Sequence, residues 1–393
     1  MKTRRATGAP TRLAAAVLAG LLASVPVTGC AAQAPGSDGP RTSGGAGPAD
    51  AGGARADGRL YVPNQADATV SVVDLASREV VETVDLRALG YPPDAKPHDV
   101  VAADDGSAWY VSLIGADRVV KFSPDNEVVG EATFEVPGMM ALAPDGEVLW
   151  VGRSMSAVNP PPSVGRIETD GMSTRVLEVV FPRPHAIAVG PDGAYAHTAS
   201  LSINRIATVA DSGLRVEMIP VPGPTHTLVQ FAVSPDGRRM AATGQVSGKL
   251  LVFDRTAPDE LPLVAEVDTG TWPWHPVWTP DGRHVVFGNK KDDTVSVIDA
   301  GSWEVAAVVE GEGLSQPHGA AAGPDGRYVY VSNNNIDGAW RPEGWSGPAG
   351  ADADDPAAGP PGAITVIDVR EGSVAAVIPV GHDPNGIGIA PGR

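Results

Sequence analysis

The stretch Gln316–Asn335, QPHGAAAGPDGRYVYVSNNN, contains the unit that decides the fold of this 393-residue chain. A Pro-His step leads into a run of small residues that is short enough for one buried strand. Pro324, Asp325 and Gly326 then form a tight turn, because proline presets φ and glycine permits a left-handed backbone. After the turn, tyrosine and valine alternate over Arg327–Ser332, which predicts a second strand.

The same turn recurs at regular intervals along the chain. Its aspartate lies at Asp105, Asp145, Asp192, Asp236, Asp281 and Asp325, at intervals of 40, 47, 44, 45 and 44 residues. A fixed period in this range is typical of a propeller or a solenoid. Each repeat offers four short strand patterns and no helical stripe, which favours a propeller blade.

The strand count predicts how the ring closes. There are seven third-strand patterns, of which TVSVVD (Thr69–Asp74) and TVSVID (Thr294–Asp299) are the clearest. The first repeat begins at its second strand near Leu60, and the missing first strand is NGIGIA, Asn385–Ala390. The two chain ends should therefore pair within one blade, which removes exposed sheet edges. We predict an all-β chain that forms a seven-bladed β-propeller over residues 59–393.

The repeat motifs resemble those of the YVTN-type seven-bladed propellers. The segments YVPNQADATVSVVDL, VFGNKKDDTVSVIDA and YVSNNN with ITVIDV carry this resemblance, which covers the chain from Leu60 onward. It implies the fold and not the function, because such propellers include binding proteins, scaffolds and domains of redox enzymes. The segment Lys96–Phe122 is also similar to the lactonase branch of seven-bladed propellers, which implies lactone hydrolysis with a divalent cation.

Residues 1–29 have the features of a bacterial lipoprotein signal peptide. A basic start precedes the Ala/Leu-rich run Leu13–Val25, which has the length of a signal peptide rather than of a membrane span. The following VTGC resembles a lipobox, and Cys30 is the only cysteine of the chain. We predict cleavage before Cys30 and its lipidation, with an ordinary secretory signal as the alternative.

The composition predicts where the mature protein lies. Residues 30–58 are mostly Ala, Gly, Pro, Ser and Asp, which cannot bury enough apolar surface to fold and predict a flexible tether. The expected location is the extracytoplasmic face of the cell membrane, where the lipid would hold the propeller. The net charge of −18 argues against a nucleic-acid partner, which requires a basic surface.

Histidines recur at one structural level of the repeat. His98, His185 and His318 each follow a proline at the start of a first strand, and they align without gaps against the Asp-Gly turn. His275 lies one residue late and His226 about three residues early. The five side chains are therefore candidate ligands near one end of the central channel. Asp99, next to His98, is a candidate for orienting a ring.

Two interpretations of these histidines remain open. Neutral imidazoles that converge on one axis suit copper or another divalent transition metal. Their arrangement resembles the channel-facing histidines of the nitrous oxide reductase and methanethiol oxidase propellers, although those copper enzymes use more histidines than align here. Alternatively, each histidine stabilises only the start of its strand and the protein has no metal cofactor.

Tryptophans supply candidate contacts for a ligand. Trp274 lies within the aromatic segment WPWHPVW, directly before His275. Trp340 and Trp345 lie in a long insertion, residues 336–362, which is either a lid over the channel or a surface loop. We predict a lipid-anchored protein that binds a small molecule or metal at the channel. The alternatives are a copper-dependent oxidoreductase, a lactonase-like hydrolase and a scaffold for a protein partner.

Overall fold

The computed structural model describes residues 57–347 and 359–392. The predicted signal peptide, the lipidation residue Cys30 and nearly all of the tether lie outside these residues. Within the described part of the chain, no helix is long and apolar enough to cross a membrane.

The structure is a ring of seven four-stranded antiparallel sheets, which confirms the predicted fold. Blade one contains β28, β1, β2 and β3, and the remaining blades take four consecutive strands each. In chain order the strands are β1 Gly58–Asn64, β2 Thr69–Asp74, β3 Glu79–Asp85, β4 Pro97–Ala102, β5 Trp109–Leu113, β6 Arg118–Phe122, β7 Val128–Thr133, β8 Pro137–Leu142, β9 Val148–Arg153, β10 Ser163–Glu168, β11 Ser173–Glu178, β12 Pro184–Val189, β13 Tyr195–Ser200, β14 Arg205–Ala210, β15 Val216–Pro220, β16 Leu228–Val233, β17 Arg239–Gly244, β18 Lys249–Asp254, β19 Leu263–Asp268, β20 Val277–Trp278, β21 His284–Asn289, β22 Thr294–Asp299, β23 Glu304–Val309, β24 Pro317–Ala322, β25 Tyr328–Asn333, β26 Ala363–Asp368, β27 Ser373–Pro379 and β28 Gly388–Pro391. A short 3-10 turn, Ile114–Ala116, follows β5.

The ends of the chain close the ring as the strand count predicts. Strand β28 pairs antiparallel with β1, with Leu60 opposite Ile389. The first strands also contact one another in cyclic order, from β4 through β8, β12, β16, β20 and β24 to β28. Closure completes blade one as a four-stranded sheet, because β28 pairs with the edge of β1 that would otherwise be exposed.

The core lies between blades. The cluster around Trp109, for example, joins Tyr61 and Val72 of blade one to Val111 and Phe122 of blade two. The Tyr61, Trp109 and Phe122 rings stack with centroid distances of 4.7 and 4.0 Å. A single blade cannot bury its two faces, so the blades stabilise one another by contact.

The recurring Asp-Gly turns share one geometry. In each, the aspartate Oδ1 accepts a hydrogen bond from the backbone N–H two residues later, as Asp325 does from Arg327 at 2.9 Å. The glycine that follows has a positive φ, such as +67° at Gly326. These turns join first to second strands, so they lie at the opposite end of the strands from the Pro-His steps.

Candidate functional site

Each blade starts its first strand with the same backbone device. One non-glycine residue before that strand has a positive φ, between 43° and 58°. It lies directly before the strand in five blades, whereas Trp272 and Asp383 precede β20 and β28 by a short irregular segment. Its carbonyl oxygen accepts a hydrogen bond from the backbone N–H of the residue after the second strand, which is β1 in blade one. The seven residues are Lys96, Val136, Arg183, Thr227, Trp272, Gln316 and Asp383. Left-handed backbone at non-glycine residues is strained, and such residues cluster at functional sites.

This device sets two rings of side chains at one end of the channel. The inner ring holds the second residue after each left-handed position, namely His98, Gly138, His185, Val229, Trp274, His318 and Asn385. The outer ring holds the residues that donate to those positions, namely Gln65, Ile114, Ser154, Leu201, Gln245, Lys290 and Asn334.

Four of the five predicted histidines come together in the structure. The ring centroids lie 6.3 Å apart for His98 and His185, 6.0 Å for His98 and His318, and 4.6 Å for His275 and His318. All four are buried. We refer to His98, His185, His275 and His318 as the histidine cluster.

His226 is not part of the histidine cluster. Its Nδ1 lies 2.9 Å from the Ser247 hydroxyl, and its Nε2 lies 2.8 Å from the carbonyl oxygen of Pro222. Because a carbonyl oxygen can only accept, Nε2 carries the proton and Nδ1 accepts from Ser247. Both ring nitrogens are thus occupied within blade five, whose inner-ring position is taken by Val229.

Burial keeps the histidine cluster neutral. Burial, together with the charge repulsion of His185 and Lys290, lowers the pKa of His98 to about 3. Burial lowers the pKa of His185 to about 4, although its hydrogen bond to Arg153 opposes the shift. Burial also lowers the pKa values of His275 and His318 well below their ordinary range. Neutral imidazoles have a free lone pair, which a metal ion or a hydrogen-bond donor can use.

Two of the rings have their tautomers fixed by neighbours. His185 Nδ1 lies 2.8 Å from the carbonyl oxygen of Arg153, so Nδ1 donates and Nε2 keeps its lone pair. His98 Nδ1 lies 3.3 Å from Gln65 Oε1, and the Gln65 amide in turn donates to Asp383 at 3.0 Å. Metal-binding histidines are commonly held in this way, through the nitrogen that does not bind the metal.

Several polar atoms of this region are buried without a partner. They are Nε2 of His98, Nε2 of His275, Nδ1 of His318 and Nε1 of Trp274. Buried polar atoms without a hydrogen bond are uncommon in native proteins and call for a water, an ion or a ligand. The histidine cluster therefore has the chemistry of a binding site.

The ring spacing is compatible with a shared metal ion. An imidazole nitrogen about 2.0 Å from a zinc ion places the ring centroid about 3.2 Å from it, so two such rings lie about 4.5–6.4 Å apart. The measured distances of 4.6–6.3 Å fall in this range. Within residues 57–347 and 359–392, however, no three His, Cys, Asp or Glu side chains already surround one point that could hold an ion. Binding would require rotation of the rings about χ2, which is a soft torsion.

The predicted aromatic residues have different surroundings. Trp274 contacts the histidine cluster, with ring centroids 5.3 Å from His318 and 6.2 Å from His275. Trp340 is held by its backbone, which donates to and accepts from the Asn335 side chain at 3.0 and 2.8 Å. The Trp345 ring lies 5.2 Å from the Arg341 guanidinium. Only Trp274 of these three has a ring contact with the cluster among the described residues.

Asp99 does not orient a ring of the cluster. Its Oδ2 accepts a hydrogen bond from the backbone N–H of Met140 in blade three, at 2.8 Å. Burial raises the pKa of Asp99 to about 7, and the bonds from Met140 and Val100 oppose the shift. Asp99 therefore joins two blades below the cluster rather than supporting His98.

Lys290 is a functional candidate that sequence analysis missed. Its Nζ donates to Asn334 Oδ1 and lies 4.9 Å above the Trp274 ring. Burial lowers the pKa of Lys290 to about 8, while the negative charge of Asp383 opposes the shift. The signal that would have found it is its register, because it follows a second strand as Gln65 and Asn334 do.

Comparisons with known proteins support the fold. No protein-family model matches the chain. Virginiamycin B lyase of Nocardia farcinica (strain IFM 10152) is 30% identical over 151 residues, which is 38% of this chain and 50% of that protein. The match therefore spans half the length of this relative.

Solved structures resemble this chain over most of its length. A hydrazine synthase of Kuenenia stuttgartiensis has a TM-score of 0.57 at 20% identity, over 74% of this chain and 89% of its own. A streptogramin B lyase has a TM-score of 0.59 at 16% identity, over 71% and 90%. A functionally unknown protein from Desulfotomaculum acetoxidans DSM 771 has a TM-score of 0.64 at 14% identity, over 85% and 99%. At these identities the similarity shows the propeller fold alone.

Proposed function

We propose that this protein binds a small ligand at the histidine cluster, and that a transition-metal ion with a preference for imidazole, such as copper or zinc, is this ligand. The observation that carries the proposal is the set of buried nitrogens without a partner on His98, His275 and His318. The neutral state of the rings and the fixed tautomers of His98 and His185 support it further.

Metal retention tests this proposal. The purified protein is incubated with copper or zinc, freed of excess metal, and analysed for metal per chain. We expect about one ion per chain in the wild type and a loss of at least tenfold in affinity for His98→Gln and His318→Gln. His284→Gln is the control, because His284 lies on β21 outside the cluster. Wild-type protein that retains no more metal than His98→Gln or His318→Gln would refute the metal proposal.

The oxidoreductase interpretation uses the same metal. If copper is retained, reduction and reoxidation of the bound ion by a chemical reductant and oxygen can be followed by its absorbance. A copper site that does not cycle would leave binding as the function and exclude the oxidoreductase.

A lyase is a second candidate, favoured by the 30% identity to virginiamycin B lyase over 151 residues. An elimination requires a base that removes a proton; the cluster supplies neutral imidazole lone pairs for this, although pKa values of about 3 and 4 make His98 and His185 weak bases. The test is incubation with virginiamycin B followed by mass spectrometry. Elimination adds no water, whereas the hydrolysis expected of a lactonase adds one. Unchanged virginiamycin B with and without divalent cations would exclude both.

We also propose that Cys30 anchors the protein to the outer face of the cell membrane. The basic start, the apolar run and the position of the sole cysteine support this. Cys30→Ala should move the protein from the membrane fraction to the soluble extracytoplasmic fraction. A variant that stays in the membrane would contradict lipid anchoring.

A further inference from the structure

The two rings at the channel mouth are chemically asymmetric. Blades four to six contribute an apolar arc, in which Leu201, Val229 and Trp274 pack together. Blades six, seven, one and two contribute a polar arc, which consists of Lys290, Asn334, Gln65 and His98. A ligand at the histidine cluster would therefore meet the Lys290 cation on the side of blade six, while Arg183, which acts on His185 as a positive charge, lies at the start of blade four.

Lys290 has spare capacity to bind an anion. An ammonium group has three N–H donors, and within the described residues only the amide oxygen of Asn334 accepts from it. The carboxylate that acts on the pKa of Lys290 is that of Asp383. It is not within ion-pair distance of Lys290, and it already accepts a hydrogen bond from the Gln65 amide. An ammonium that lies partly buried beside an indole face, without a carboxylate within ion-pair distance, is favoured by an incoming negative charge.

Charge balance points in the same direction. Lys290 already acts on His98, His275 and His318 as a nearby positive charge. A metal cation among these neutral rings would add a second positive charge to a region with little water. An anion next to Lys290 would offset this excess.

We propose that Lys290 binds an anion, either a carboxylate or an oxyanion of similar size, beside the histidine cluster and its metal ion. This inference deepens the proposed function, because it names a second component of the same site. The anion is either a free small ion or the acid group of a larger organic molecule whose apolar part lies on the Leu201, Val229 and Trp274 side.

Two adjacent lysines provide a matched comparison. Lys291 follows Lys290 directly, and its Nζ lies 4.0 Å above Trp272, much as Lys290 lies above Trp274. Lys290→Gln and Lys291→Gln therefore remove the same charge from neighbouring positions, and only the first faces the cluster. Lys290→Arg restores a cation at the first position.

Calorimetric titration with sodium formate and sodium benzoate, in a chloride-poor buffer and with metal-free protein, tests the inference. We expect at least tenfold weaker binding for Lys290→Gln, recovery in Lys290→Arg, and a change of less than about twofold for Lys291→Gln. Tighter binding of benzoate than of formate indicates an organic acid, and equal binding indicates a free small anion.

The outcomes separate this inference from the metal proposal. Equal anion affinity in the wild type and Lys290→Gln, or equal losses in both glutamine variants, would overturn the role of Lys290. This result would leave metal retention by the histidines unaffected. Conversely, wild-type protein that binds no metal but binds formate through Lys290 would retain the anion site and refute the metal ion.

Discussion

Gln65 shows how an uncharged residue can control the chemistry of the cluster. Its Oε1 faces His98 Nδ1 at 3.3 Å, and its amide donates to Asp383 at 3.0 Å. Because the Gln65 amide nitrogen donates to the Asp383 carboxylate, the Gln65 amide oxygen faces His98 and accepts the proton of His98 Nδ1. The lone pair of His98 is thereby placed on Nε2, the nitrogen that is buried without a partner.

Substitution of Gln65 by Leu should weaken metal binding without unfolding the protein. Leucine has a similar volume but cannot accept from Nδ1, so the His98 ring loses its fixed tautomer and orientation. Loss of such a supporting partner typically lowers metal affinity by about 10–100-fold. Metal titration measures this effect, and nitrogen NMR of the His98 ring reports the tautomer. Unchanged affinity together with an unchanged tautomer would show that Gln65 is not required.

Asp99 supports the interface between blades two and three. Its variants should show whether this support comes from its role as a hydrogen-bond acceptor or from its negative charge. Asp99→Ala leaves the buried Met140 N–H without an acceptor, which costs about 1–3 kcal/mol. Asp99→Asn keeps an acceptor oxygen and should lose less than about 1 kcal/mol. Urea unfolding at neutral pH measures both. Equal losses in the two variants would mean that the hydrogen bond to Met140 is not the main contribution of Asp99.

At the scale of strands, the sequence predicted the third strands almost residue by residue. Thr69–Asp74 and Thr294–Asp299 have the predicted bounds, because both segments are rich in β-branched residues and lie between clear turns. The first strand of blade six was less predictable. Only Val277–Trp278 remains as β20, since Pro273 and Pro276 cannot donate to the ladder. This irregularity lets His275, one residue out of register, reach His318.

The site was only partly predictable, for reasons of backbone geometry. The seven left-handed residues include Lys, Val, Arg, Thr, Trp, Gln and Asp, which share no side-chain property that a sequence pattern could detect. Their φ values are imposed by tertiary structure, and they fix which residue reaches the inner ring. Alignment against the Asp-Gly turn thus identified His98, His185 and His318. It could not show that His226 lies outside the histidine cluster, and it could not reveal Lys290.

Ring closure should contribute a large part of the stability. A chain that ends after Asn385 lacks β28, which exposes the edge of β1 and removes Ile387 from the core around Leu60. We expect a loss of several kcal/mol, about 2–5 from Ile387 alone. Thermal unfolding measures it, with a chain that ends after Pro391 as the control. A truncated protein with wild-type stability would show that the terminal pairing is dispensable.

At the scale of the whole molecule, burial of neutral histidines makes the fold sensitive to acid. Burial lowers the pKa of His98 and His197 to about 3 and that of His185 to about 4, and it lowers the pKa values of His275 and His318 well below their ordinary range. His197 is held apart from the cluster, where it accepts from Arg255 Nε at 3.1 Å. In the unfolded chain all five titrate near an ordinary value of about 6.5.

The direction of the pH effect follows from where protons bind. Below pH 6.5 the unfolded chain takes up protons that the folded protein cannot take up until about pH 4, so acid favours unfolding. Each such histidine contributes a slope of about 1.4 kcal/mol per pH unit. Asp99 acts in the opposite sense, because burial raises its pKa to about 7 and the folded protein binds its proton first. Burial also raises the pKa of Asp383. Two carboxylates thus oppose five histidines, so the net effect is destabilisation by acid.

We therefore expect the metal-free protein to unfold cooperatively at about pH 5, where the stability lost by protonation becomes comparable to a typical free energy of unfolding of about 5–15 kcal/mol. Urea unfolding at several pH values between 7 and 5 gives the slope directly. His275→Gln removes one titrating group and should lower the slope by about 1.4 kcal/mol per pH unit. His284→Gln, outside the buried set, should leave it unchanged. If the unfolding free energy of the wild type does not change with pH, the imidazoles accept protons in the folded state. The histidine cluster would then lack the neutral lone pairs on which metal binding depends.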